Sequence, residues 1–267
     1  MDISEPALKI SGRSVALGTR WIALALLGVL PLSASALAQG GPPLITDDPG
    51  TPGSGRWEIN TAVTVEDRAS GRLWGAPLID ANYGWGEHIQ LKLEIPWRVG
   101  TTPSVGTVSG LGEALAGVKW RFLDQDTSGI DLGTYPQVGF QTVGSSARKG
   151  VAQDYTNVIV PLTVQKNLGF LSANIEIGWE WRSGERSHEF AGLALGKQLS
   201  ERLEAIGEIH TDMPGRLSEA TVFWEAGGRW TVNRHLVLLI SGGSGMRGSP
   251  SDTRLRFIGY LGTQWLL

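Results

Sequence analysis

Cysteine is missing from all 267 residues. That absence excludes disulfide frameworks, thiolate zinc sites, a cysteine nucleophile and a lipid-modified N-terminal cysteine. Charge is also scarce, at 18% of residues against a usual share of about 25%. The formal balance of −3 supplies no basic field, so nucleic acid is not an expected partner. Low charge combined with eleven tryptophans argues against disorder, which goes with few aromatics and high net charge. Glycine, by contrast, is abundant at 37 residues, roughly twice its usual share of about 7%.

The first apolar run is too short for a helical anchor. Lys9, Arg13 and Arg20 precede Trp21 to Leu32, and Ala36-Leu37-Ala38 then gives a small-x-small pattern before Gln39. A spanning helix needs about 20 apolar residues, and Pro31 closes this run early. The basic, apolar and small-residue order is that of a secretory signal peptide, expected over residues 1–38.

Beyond it the chain alternates with a period of two. Ile89, Leu91, Leu93, Ile95, Trp97 and Val99 share one face, while Gln90, Lys92, Glu94, Pro96 and Arg98 share the other. Residues 57–65 and 171–182 repeat the scheme. A helical reading would place Lys92 and Glu94 among the apolar positions, so these segments are strands. They run to ten or more residues, beyond the five or six usual in soluble sheets and matching a membrane-spanning strand. About twelve such strands are expected, at roughly 56–67, 73–85, 87–99, 110–123, 130–143, 157–167, 169–182, 187–199, 201–211, 217–230, 232–243 and 253–267.

Their connections alternate. Gly84–Glu87, Lys166–Gly169, Leu199–Arg202 and Thr231–Arg234 are tight, whereas Val99–Ser109, Gly144–Thr156 and Gly243–Asp252 are long and polar. Residues 123–130 fit least well, being long for a tight turn. Trp57, Trp85, Trp120, Trp230 and Trp265 fall at the turn ends, and Trp97, Trp179 and Trp181 at the loop ends. Two tryptophan belts with short turns on one side and longer loops on the other describe an outer-membrane barrel with periplasmic termini. The expected fold is therefore all-β, a single antiparallel transmembrane barrel of about twelve strands over residues 56–267. A Pro/Gly-rich periplasmic segment, residues 39–55, precedes it. The expected location is the Gram-negative outer membrane. The partners are lipid, a small-molecule solute and the barrel-assembly machinery, the last through the C-terminal strand ending Tyr260-Leu261-Gly262-Thr263-Gln264-Trp265-Leu266-Leu267. That strand resembles the assembly signal of such barrels, with Leu267 where phenylalanine is commoner. No cofactor or metal is called for.

Gly41-Pro42-Pro43-Leu44-Ile45-Thr46-Asp47-Asp48-Pro49, followed by Gly55-Arg56-Trp57-Glu58, resembles the opening of a proteobacterial outer-membrane family. Its members carry the label of phenol-degradation-pathway (MetA-type) outer-membrane proteins, or transporters. Thr46, Asp47, Asp48, Pro49, Trp57 and Glu58 carry the more specific part. The resemblance implies a barrel passing small, hydrophobic or aromatic compounds, and no catalytic residues.

The inward face of the alternation holds Lys92, Glu94, Arg98, Lys119, Arg121, Glu176, Glu180, Arg182, Glu204, Glu208, His210, Glu219, Glu225 and Arg229. Arg or Lys facing lipid at the midplane would cost roughly 2–4 kcal/mol, so these charges are expected to line the lumen, where their mixed signs favour cross-lumen ion pairs. His88 and His235 fall beside tight turns, and His188 begins a strand in a region that reads as a solvated outside loop. His210-Thr211-Asp212 could serve a rim-site hydrolase, but no nucleophile motif accompanies it, and the chain is not expected to be an enzyme. A passive channel leads. A structural or surface-interaction barrel is the alternative, and a hydrolase comes third. Two further expectations concern prolines. Residues 40–54, with Pro42, Pro43, Pro49 and Pro52, form neither helix nor central strand and either plug the periplasmic mouth or hang free. Pro136 and Pro161 fall at similar depth on neighbouring strands, facing outward and inward respectively, and make a bulge or a lateral seam.

Overall fold

The computed structural model describes residues 40–215, 219–247 and 254–267. The expected signal peptide, residues 1–38, lies outside them. Strong alternation of β-branched and aromatic residues with polar ones produces long antiparallel strands, here β1 Trp57–Arg68, β2 Gly71–Trp85, β3 Ile89–Thr102, β4 Gly106–Leu111, β5 Glu113–Leu123, β6 Asp131–Thr134, β7 Gln137–Gln141, β8 Asn157–Asn167, β9 Ser172–Arg182, β10 His188–Ser200, β11 Leu203–Met213, β12 Thr221–Asn233, β13 Leu236–Arg247 and β14 Leu255–Leu266. The inner part of β3 pairs with β5 and its outer part with β4, so β4 and β5 are one stave broken at Gly112. Likewise β6 and β7 are one stave broken at Tyr135-Pro136, both halves lying between β5 and β8. The fourteen segments thus form twelve staves, and pairing of β1 with β14 closes the ring. Trp57 and Leu267 exchange two backbone bonds of 2.9 Å at that closure. A closed sheet has no unpaired edge, the condition for a β-structure in lipid.

The faces are inverted relative to a soluble protein. Ile79, Leu93, Val118, Ile175, Ile177, Ile209, Ile240 and Leu261 are exposed on the outside, while Asn60, Asp80, Thr163, Asn174 and Glu204 are buried inside. The exposed tryptophans take the two belts read from the sequence, with Trp85 and Trp230 at the same, turn-bearing end.

Three connections depart from expectation. The stretch expected as a long loop over Val99–Ser109 is mostly strand, because Thr and Val there continue the ladder to Thr102 and resume it at Gly106. Thr101 and Thr107 also pair their hydroxyls at 3.1 Å, and Gly106 takes the positive φ of the turn. Residues 123–130 contain a one-turn helix, α1 Gln125–Ser128. It is tied to the next turn by the Asn167 N–H donating to Gln125 Oε1 at 2.6 Å. Residues 144–156 are the long polar loop expected, but part of it folds back on the barrel: it contains α2 Gly144–Arg148, and Ser146 and Val151 are buried.

At the proline pair the ladder between β6–β7 and β8 is interrupted, with Pro161 buried and Pro136 exposed. Both proline carbonyls nevertheless find donors: Thr134 Oγ1 to Pro161 at 2.7 Å and Val118 N–H to Pro136 at 3.0 Å.

Candidate functional site

The lumen is occupied by the chain's own N-terminal segment. Residues 40–56 contain no helix or strand. With four prolines the segment cannot supply a continuous row of N–H donors, so side chains of the wall must satisfy it. Its tip is a tight turn in which the Leu44 N–H bonds Gly41 O at 3.0 Å and the Gly41 N–H bonds Thr46 O at 2.8 Å. Asp48 ties it internally, accepting from Gly40 N–H at 2.9 Å and Gly50 N–H at 2.6 Å.

Charged residues of the wall do the holding. The Glu208 carboxylate accepts the Ile45 and Thr46 N–H groups at 2.9 and 2.8 Å, and Glu176 accepts that of Asp47 at 2.9 Å. Lys119 Nζ lies 2.9 Å from Asp47 and 3.8 Å from Asp48. Asn174 donates to the Asp47 carbonyl. Arg229 reaches the carbonyls of Gly40 at 2.7 Å and Pro42 at 3.0 Å, and also pairs with Glu204 at 3.3 Å. Ser241 donates to Pro43 O at 2.8 Å. Leu44 adds an apolar anchor, packing with Ala194 and Ile206. Two glycines admit the segment's close approach. A Cβ on Gly192 would stand 2.0 Å from Thr46 Oγ1, and one on Gly84 1.8 Å from the Gly53 carbonyl.

The residues that carry the N-terminal resemblance therefore divide: Thr46, Asp47, Asp48 and Pro49 belong to this segment, whereas Trp57 faces outward and Glu58 inward at the start of β1. The remaining inner-wall charges form two further groups. Lys92 lies 3.1 Å from Glu94 and 3.6 Å from Asp80. Asp80 also accepts from Asn60 and Asn82, and Gln90 bonds Asn82 and the buried Tyr135 hydroxyl. Toward the loop end, Glu180 pairs with Arg182 and accepts from Asn157 at 2.6 Å. Arg98 is half-buried on the same inner face, and Glu225 accepts from Ser241 at 2.9 Å. Arg121 sits at the turn-end mouth, 2.8 Å from Asp124.

Two placements differ from the sequence reading. Glu219 is not on the inner wall; it meets Arg186 at 3.7 Å in an exposed loop pair. His188 is not solvated but lies on the inner wall as the first residue of β10. It accepts from Arg182 at its Nε2 (2.7 Å), which leaves Nδ1 to donate to Asp212 at 3.1 Å. Asp212 therefore serves His188 rather than His210. His210 instead stacks between Phe190 and Phe223, at 6.1 and 5.2 Å, with Nδ1 3.4 Å from Thr46 Oγ1. Among the described residues no cluster of three or more His, Asp or Glu is arranged to hold a metal. Tyr135, Phe190 and Phe223 escaped the sequence reading because inward aromatics look like any other strand residue. Gly178, which leaves room for the Phe190 ring, is the faint signal that could have found one of them.

These features define a class: a closed twelve-stranded antiparallel barrel, apolar outside and polar within, with a folded segment in its lumen. Among solved structures the chain resembles an outer-membrane channel from Pseudomonas putida F1, with a TM-score of 0.65 and 11% identity over 82% of this chain and 98% of that one. It also resembles the NanC porin, with a TM-score of 0.55 and 8% identity over 78% and 99% of the two chains. The β domain of the Bordetella autotransporter BrkA gives 0.52 and 13% over 79% and 98%. No family model and no curated protein matches the chain. At these identities the likeness is one of fold, shared by outer-membrane barrels of different duties.

Proposed function

We propose that the protein is an integral outer-membrane barrel, exported by the signal peptide at residues 1–38, that acts as a passive channel for small hydrophobic or aromatic molecules. One observation carries the reading: the lumen is filled by residues 40–54, which take no part in the barrel ladder. Side chains hold it, so it can leave without breaking a strand pair. A twelve-stave barrel is wider than the eight-stranded type that its own side chains can fill. The N-terminal resemblance to MetA-type proteins supports a small, ring-bearing solute, and the inward Phe190 and Phe223 offer it an apolar wall. Lys92, Glu94, Arg98, Lys119, Arg121, Glu176, Glu180, Glu208, His210 and Glu225 would then line or close the path. The C-terminal strand, paired at the closure with β1, is the part offered to the assembly machinery.

A second reading, a structural or surface barrel without transport, draws on the occupation of the lumen from both ends. Single-channel recording of the purified protein in planar bilayers separates the two. Discrete conductance steps that small aromatic solutes block are expected for the channel; a silent bilayer containing folded barrels overturns it.

A further inference from the structure

The loop end carries a second closure, built differently from the first. Residues 144–156 fold inward and rest on two glycines of the inner wall. A Cβ on Gly110 would stand 3.0 Å from Ser146 Oγ and 3.3 Å from Val151 Cγ2, and one on Gly100 would stand 3.6 Å from Val151 Cγ1. Glycine inside a strand often marks a place where another segment comes close, and here two of them on neighbouring strands form a seat for the loop. Gly110 lies directly opposite Arg98 in register, so the seat is on the stretch of inner wall that carries this charge.

The fastenings of the two closures are unequal. Residues 144–156 are tied to the barrel by Lys149 Nζ to Ser109 O at 3.2 Å, Gln153 O accepting from Gln141 at 3.4 Å, Thr156 O accepting from Ser183 N–H at 3.0 Å, and the Tyr155 ring, whose centroid lies 5.7 Å from the Arg182 guanidinium. Among the described residues no ion pair joins them to the wall, and the Lys149 and Gln141 contacts are exposed, where water competes for the same groups. The N-terminal segment is held by buried carboxylates, Lys119 and Arg229. Charge-assisted hydrogen bonds of that kind are roughly twice as strong as neutral ones.

We propose that residues 144–156 are a lid that opens while the N-terminal segment stays seated, so that the inner wall beneath the loop is reached from the loop side. The barrel would then work with two closures in series, the outer one labile and the inner one firm. This rests on the channel reading, and its first test uses a readout that does not need conduction.

The chain has no cysteine, so single reporters are clean. Ser146→Cys is close to isosteric and places a thiol on the buried underside of the lid. Thr46→Cys places one at the buried tip of the N-terminal segment. Full-length variants in the outer membrane of intact cells are treated with a membrane-impermeant maleimide, their folding checked by heat-modifiable migration. Cys at 146 is expected to label several-fold faster than Cys at 46. Equal protection of both, or equal labelling of both, overturns the proposal. A second variant guards against a reporter that misfolds. The Gly110 Cβ position is 3.9 Å from Ser146 Cβ, within the disulfide range of about 3.5–4.5 Å. The Gly110→Cys, Ser146→Cys pair, oxidised, should lower single-channel conductance of the full chain, and reduction should restore it. An unchanged conductance on oxidation contradicts the lid. Selective labelling at 146 in a barrel that never conducts upholds the lid and removes the channel reading.

Discussion

Lys119 shows how much one side chain can hold. It is buried in the lumen and faces Asp47 and Asp48 of the N-terminal segment. Removing one partner of a buried ion pair typically costs about 3–5 kcal/mol, because the other charge is left uncompensated. Lys119→Ala should therefore unseat the segment while leaving strand pairing intact. Limited proteolysis is expected to clip the variant between residues 40 and 56 with the barrel surviving; a segment as resistant as wild type contradicts the assignment. Arg186→Ala is the matching control, since its pair with Glu219 is exposed and such pairs contribute little. The alternation of residues 88–99 and 171–182 was enough to place Lys92, Glu94, Glu176 and Glu180 on the inner wall. Their partners were not legible. Lys119 meets an aspartate 72 positions away, and Asp212 bonds His188 rather than His210, because pairing across a lumen depends on stave order and depth.

At the scale of the strand, the sheet faces lipid on one side and a polar interior on the other, and substitutions should respond accordingly. On β3, Leu93 is midway between Ile89 at the turn end and the loop-end tryptophan Trp97, and it is exposed on the outer face. Leu93→Arg should destabilise the barrel by about 2–4 kcal/mol, the usual cost of a cation at the midplane. Urea unfolding in phospholipid vesicles measures it, and a loss below about 1 kcal/mol, as found near an interface, would mean that Leu93 does not face the hydrocarbon. Strand number and both tryptophan belts were legible because period-two alternation is a local signal. Connections were less so. Residues 99–109 contain the polar and glycine residues of a loop yet mostly continue the ladder, and residues 144–156 look solvated yet cover an inner wall whose glycines lie far away in sequence. Composition reports that the loop is polar and largely exposed, but not that Ser146 and Val151 fold back; the small residues beneath them do, once the staves are paired.

For the whole molecule, the sequence left residues 40–54 as either a plug or a free tail. Their seating inside the barrel is fixed by residues from several staves at once: Lys119 on β5, Glu176 on β9, Glu208 on β11, Arg229 on β12 and Ser241 on β13. No single stretch of sequence contains that site. The segment adds no strand to the ring, so its removal should leave a folded barrel and a wider passage. The most direct test compares single-channel conductance of the full-length protein with that of a variant lacking residues 40–54, recorded in the same planar bilayers after both are shown to migrate as heat-modifiable barrels. A several-fold larger conductance in the deletion variant is the predicted result. Equal conductance from two well-folded barrels would contradict the account, because the N-terminal segment would then not be what closes the path.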